Sequence, residues 1–100
     1  MAKPFYAEYV NHMLRHYLRH PNELTGKNEI EFKNWTITKE IVLSKTQEEQ
    51  ALLTDIYSRG TLSVYESVKE VEKEREIPAN DIFALINRIA QEIAKARELI

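Results

Sequence analysis

No cysteine occurs among the 100 residues, which excludes a disulfide framework, thiolate metal ligands and thiol nucleophiles and fits a reducing, cytoplasmic setting. Two glycines and three prolines supply too few turns for a sandwich or barrel of many short strands, so an all-β architecture is excluded. No apolar run approaches the roughly 18 residues of a membrane span, and the opening MAKPFYAEY carries no signal-peptide core. Glycine-rich phosphate loops and nucleophile elbows are missing, and the carboxylates show no obvious pairing. Catalysis is therefore not expected, and no cofactor or metal is implied.

What remains is a chain 43% hydrophobic and 30% charged, the balance of one soluble domain. The net charge of −2 hides an uneven distribution. Residues 1–20 carry Lys3, Arg15 and Arg19 against Glu8, a formal +2, with His12, His16 and His20 in addition. Residues 40–81 carry five basic against ten acidic side chains, a formal −5. Residues 82–100 return to +1, with Arg88, Lys95 and Arg97 against Glu92 and Glu98. Mildly basic ends flank an acidic middle, which permits contact with nucleic acid at the ends.

The apolar pattern is helical throughout. Phe5, Tyr6, Tyr9, Val10, Met13, Leu14, Tyr17 and Leu18 recur in pairs every four residues and predict a helix over 4–20. Pro4 suits its first turn and Pro21 ends it. Such a stripe is too apolar to remain in water, so this helix is expected to pair two chains as a homodimer or to seal against its own C-terminal half. Residues 21–33, with Pro21, Asn22, Gly26 and Asn28, read as a loop in which Glu29 to Phe32 could be extended. Trp35, Ile37, Ile41 and Val42 predict a second helix over 35–44, despite its β-branched residues. Thr46-Gln47-Glu48-Glu49 has capping-box spacing, followed by a buried face of Ala51, Leu52, Leu53, Ile56 and Tyr57 and a stop at Gly60. Ser63-Val64-Tyr65-Glu66 repeats that spacing and opens a helix with Val64, Val68 and Val71 inward, to about Arg75. Pro78 is expected as the first residue of a last helix over 78–98, packed through Ile82, Leu85, Ile86, Ile89, Ile93 and Ala96. The expectation is an all-α chain of about five helices: residues 1–33 as N-terminal helix and loop, and 34–100 as the core of one domain.

The C-terminal segments TQEEQALLTDIYSRG, TLSVYESVKEVEKERE and IPANDIFALINRIAQEIAKARELI resemble the helix-turn-helix of a sigma-factor region four. With the aromatic first helix and the central Asn34-Trp35, the arrangement is similar to the ArpU/RinA-like late transcription regulators of Gram-positive prophages. The resemblance implies a small cytoplasmic regulator that binds double-stranded DNA and works beside RNA polymerase. A helix fits the major groove, and the helix before it sets its amino-terminal amides on phosphates. On the last helix the face opposite the isoleucines carries Asn80, Asn87, Arg88, Gln91 and Lys95. Asn and Gln can pair with adenine and Arg with guanine. Ser63, Tyr65 and Arg59 are expected near the DNA backbone. The chain departs from the family pattern at the turn, where Glu74-Arg75-Glu76 stands in place of the usual glycine. Glu70, Glu72, Glu74, Glu76 and Asp81 also gather near the entry of the last helix, where each would repel a phosphate it faced.

Three other features have two readings each. His12, His16 and His20 have the i, i+4 spacing of a metal pair, but three such residues reach too far along a helix for one ion. A solvated face, or phosphate contact shared with Arg15 and Arg19, competes with that reading. Trp35 reads as core, with base stacking as the alternative. An acidic middle that docks a partner and never touches DNA would make the chain a non-enzymatic interaction or assembly module.

Overall fold

Apolar spacing, capping hydroxyls and a few long-range hydrogen bonds define five helices. A computed structural model describes residues 6–21, 29–59 and 63–99. The helices are α1 (Ala7–Arg19), α2 (Glu29–Leu43), α3 (Gln47–Tyr57), α4 (Val64–Arg75) and α5 (Ala79–Ala96), with no strand among the described residues. Pro4, Phe5, Asn22, Gly26, Asn28 and Gly60, to which the sequence assigns roles, lie outside the described residues.

The α1 stripe is buried as its spacing predicts: Tyr6, Val10, Met13, Leu14, Tyr17 and Leu18 are all in the core, and Tyr9 stays half-exposed. It is buried within one chain, since α1 packs on α2, α3 and α5. Within the single chain the stripe packs as a seal against its own body. Tyr57 of α3 closes the contact: its hydroxyl donates to Asn11 Oδ1 at 2.7 Å, and its carbonyl accepts from Arg19 Nε at 3.2 Å. Burial holds the Tyr57 phenol well above its ordinary pKa, so it stays a donor.

The second helix corrects the expected loop. It begins at Glu29 and runs across the boundary expected at residue 33. Glu29 and Glu31 lie in its first turn, where carboxylates favour the positive end of the helix. Trp35, Thr38 and Val42, spaced at i, i+3 and i+7, are its buried residues, so tertiary packing overrides the β-branched content. Thr38 settles its hydroxyl by donating to the Asn34 carbonyl at 2.8 Å. Trp35 is core: its ring meets Tyr17 edge-on at 5.6 Å, and its Nε1 donates to the His20 carbonyl at 3.1 Å.

In α3 both bonds of the capping box form, from Glu49 N to Thr46 Oγ1 and from Thr46 N to the Glu49 carboxylate, each 3.1 Å. Those bonds, the Thr46 amide first and then the Arg88 guanidinium, hold the Glu49 carboxyl below its usual range. At α4 Ser63 accepts from Glu66 N at 3.1 Å, which is the first half of the box expected there. Two boundaries of α5 also differ from expectation. Pro78 caps the helix from outside instead of opening it, and Ala96 is exposed while Ala79, Ala90 and Ala94 are buried beside the isoleucines. The helix ends two residues early because Glu98 turns left-handed (φ 60°), so that Leu99 N reaches the Ala94 carbonyl at 2.8 Å.

Ile89 has no exposed surface, so Ile89→Ala should destabilise by about 2–5 kcal/mol in chemical denaturation; a parental midpoint would mean that α5 is rotated. Met13→Lys places a charge in the same core and should abolish cooperative unfolding of the monomer. A folded, monomeric Met13→Lys protein from a dimeric parent would show instead that two chains share the stripe.

Candidate nucleic-acid interface

The last two helices meet through a turn without glycine. Val68 and Val71 of α4 are fully buried, as are Ile82, Ile89 and Ile93 of α5, so each helix presents one apolar face inward and the α4 and α5 faces pack together. Glu76 ends α4 in the left-handed region (φ 56°, ψ 38°), a conformation that favours glycine. An L-residue there gives up about 1–2 kcal/mol. Pro78, the N-terminal cap of α5, has no side-chain donor or acceptor to offer. Glu72, one turn back in α4, takes over: its carboxylate accepts from Ala79 N at 2.6 Å. That bond, with Lys69 as ion-pair partner, holds the Glu72 carboxyl below its ordinary value. Seven residues separate cap and capped amide, a spacing with no local motif to announce it.

On the outward side of α5, Asn80, Asn87, Arg88, Gln91 and Lys95 are all exposed. They occupy the face opposite the isoleucines and are free of core packing. Arg88 is tied at one edge, donating to the Glu49 carboxylate of α3 at 2.9 Å. The neighbouring Glu92 pairs with Lys45, so two ion pairs fix α5 against the α2–α3 junction. Along the opposite edge Tyr65 of α4 stacks on Phe83, rings 5.9 Å apart and inclined by 22°, with 62% of Tyr65 exposed. Ser63 lies beside it, its hydroxyl engaged in the α4 cap.

Arg59 sits elsewhere than expected. Its guanidinium is enclosed by Asp55 at 2.8 Å, Glu70 at 3.1 Å and Glu74 at 2.6 Å. Contact with a phosphate would require breaking those pairs, so Arg59 functions here as the clamp between α3 and α4. Arg75 reinforces the clamp by reaching Asp55 at 3.0 Å. The same arrangement reassigns the acidic cluster: Glu70 and Glu74 hold Arg59, Glu72 caps α5, and Asp81 lies in the first turn of α5, where its charge opposes the helix dipole favourably.

The third connection is at the C-terminal end of α5. Arg97 Nε donates to Asn34 Oδ1 at 2.6 Å, and Asn34 Nδ2 donates to the Tyr9 hydroxyl at 2.9 Å. Hydrogen bonding of the Tyr9 hydroxyl to Arg97, and then to Asn34, holds the phenol below its usual pKa. Asn34 thereby joins α1, α2 and α5 through one amide.

Along α1 the rings of His12 and His16 are 6.5 Å apart and those of His16 and His20 5.7 Å apart. Among the described residues no group of three or more His, Asp or Glu side chains converges as a metal site.

No family model matches the chain, and neither a curated protein nor a solved structure is significantly similar to it.

The left-handed backbone of Glu76 carries a penalty that a substitution can relieve. Glu76→Gly removes the left-handed penalty and should raise stability by about 1 kcal/mol, read as a higher thermal midpoint. A lower midpoint would show that Glu76 contributes a contact worth more than its backbone strain.

Proposed function

We propose that the chain binds double-stranded DNA through α4 and α5, acting as a helix-turn-helix in a small prophage-type transcription regulator that works beside RNA polymerase. The observation that carries this reading is the outward face of α5. Five side chains that can address base edges or phosphates stand there in one exposed row, and none is needed by the core. Asn87 and Gln91 are one helical turn apart, a spacing that lets neighbouring side chains meet successive base pairs. Lys95, a turn further on, reaches toward the backbone. Ser63 and the first turn of α4, with Tyr65 stacked on Phe83, flank the row where a phosphate would pass.

Charge supports the reading as well. Three of the five carboxylates near the entry of α5 are engaged in ion pairs or capping, so the field at the reading face is less negative than a count of acids implies. Arg88 is the exception on the basic side, because Glu49 neutralises it in the free protein. DNA binding then includes the exchange of Glu49 for a base or phosphate.

The alternative is a helical interaction module. A groove of about 580 Å³ lined by Glu48, Glu49, Leu52, Arg75 and Ile77 lies between α3 and the α4–α5 turn, and favours a basic partner with an apolar anchor.

Fluorescence anisotropy of labelled duplexes, with a preferred site drawn from a random-sequence pool, separates the two. For DNA binding the affinity should fall steeply and log-linearly with salt. Lys95→Ala should weaken all sequences alike and lower the salt slope by about one. Arg88→Ala should lose about 1–3 kcal/mol on the preferred site and relax one base position. Glu49→Gln keeps the α3 cap and frees Arg88, so it should bind more tightly than the parent. No binding at low salt, or indifference to all three substitutions, would leave the interaction module.

A further inference from the structure

The basic face of α1 plays no part in the α5 row, yet it lines a groove of its own. About 460 Å³ lie between α1 and α2, walled by His12, Arg15, His16 and Arg19 on one side and by Asn34 and Trp35 on the other. Glu31 is the one carboxylate in this lining, against two arginines and three imidazoles, His20 included. A second groove shares His12 and Arg15, takes in Asn11 and one carboxylate, Glu8, and continues to Ser63, Val64 and Tyr65 at the start of α4. Arg15 therefore stands at the junction of both.

Arg15 is also chemically unlike its neighbours. Arg59, Arg75 and Arg88 each hold a carboxylate, and Arg19 donates to the Tyr57 carbonyl. Arg15 forms no ion pair with any described carboxylate, and its Nε is fully enclosed without a hydrogen-bond partner. The enclosed Nε is beyond the reach of a ligand, but with no described carboxylate to neutralise the charge, the other N–H groups of the guanidinium are left to one.

We infer that this face of α1 is an oxyanion site for a phosphate group, with Arg15 as its principal ligand and His12 and His16 as further donors. The guanidinium fork takes two phosphate oxygens at once. Imidazole N–H groups one helical turn apart supply donors along the same side, and the Trp35 wall accommodates an apolar or aromatic remainder. The phosphate has two sources: the backbone of a duplex lying along the α4 amino terminus, or a free phosphorylated small molecule. This inference does not rest on base reading by α5 and survives if that reading fails.

Trp35 is the sole tryptophan, so the groove has its own reporter. Pyrophosphate is titrated into the full chain while Trp35 emission and binding heat are followed, with sodium chloride at matched ionic strength as control. The expected result is saturable binding with half-saturation at or below about 1 mM, specific to pyrophosphate. Arg15→Gln should weaken it at least about tenfold, since a neutral amide lacks both charge and fork. His12→Glu, at an exposed position bordering both grooves, should do the same without touching the core, which covers the case in which Arg15→Gln does not fold. Duplex binding by the same variants assigns the source. If DNA supplies the phosphate, Arg15→Gln lowers the salt slope by about one and duplex competes with pyrophosphate. If a small molecule supplies it, pyrophosphate binding is lost while duplex binding is unchanged. Heat and emission that match the chloride control, or pyrophosphate binding of parental strength in both variants, overturns the site.

Discussion

The constraint on which this fold depends is the burial of α1. Five of its apolar side chains and that of Tyr6, its N-cap, leave water together, each stabilising by about 1.5–3 kcal/mol, against a total of about 5–15 kcal/mol for a domain of this size. No arrangement that leaves the stripe exposed can compete. The helix consequently lies against α2, α3 and α5 at once, and Trp35, Tyr57 and Asn34 are placed to receive it. Its remaining face, which carries Arg15, Arg19 and the histidines, is turned outward by the same packing. The basic character of that surface follows from the burial of the opposite one.

A second dependency links charge to the α4–α5 junction. Without glycine at the turn and without a side-chain cap at Pro78, α5 relies on Glu72 for its first amide. Arg59 gathers Asp55, Glu70 and Glu74 at the α3–α4 boundary. Side chains that look repulsive in sequence thereby become the connections that orient α5, and they lower the field that an approaching polyanion would meet. The arrangement has a consequence for Arg88, whose Glu49 partner also serves the α3 cap. The Arg88 ion pair and the α3 cap thus share one carboxylate.

Part of the candidate site is legible in the amino-acid pattern. The outward row from Asn80 to Lys95 follows from 3.6-residue periodicity once the isoleucines are assigned inward, and all five residues are exposed. Ser63 is legible as a cap from its spacing to Glu66. Arg59 is not: an arginine just past a helix end reads as solvent-facing, and two of its three partners lie eleven and fifteen residues onward, on a different helix. Glu72 reads as a repulsive charge for a similar reason, since its partner is a backbone amide beyond a turn. The Arg97, Asn34 and Tyr9 link spans most of the chain, and nothing in local spacing announces it.

Local sequence is enough for the all-α class, for the large apolar residues of the inward faces of α1, α3, α4 and α5 (Ala51 and Ala96, expected inward, are exposed), and for the caps at Thr46 and Ser63. Each is a short-range matter of periodicity or of a hydroxyl three residues from an amide. The helical course of α2 through its β-branched stretch belongs to packing instead, since Trp35, Thr38 and Val42 gain more by burial than β-branched residues lose in a helix. Packing likewise sets the closure of α1 on its own chain, and which charges are engaged and which remain available. Ion pairs and enclosed donors depend on distances between residues far apart in sequence, and those distances exist only once the helices have packed.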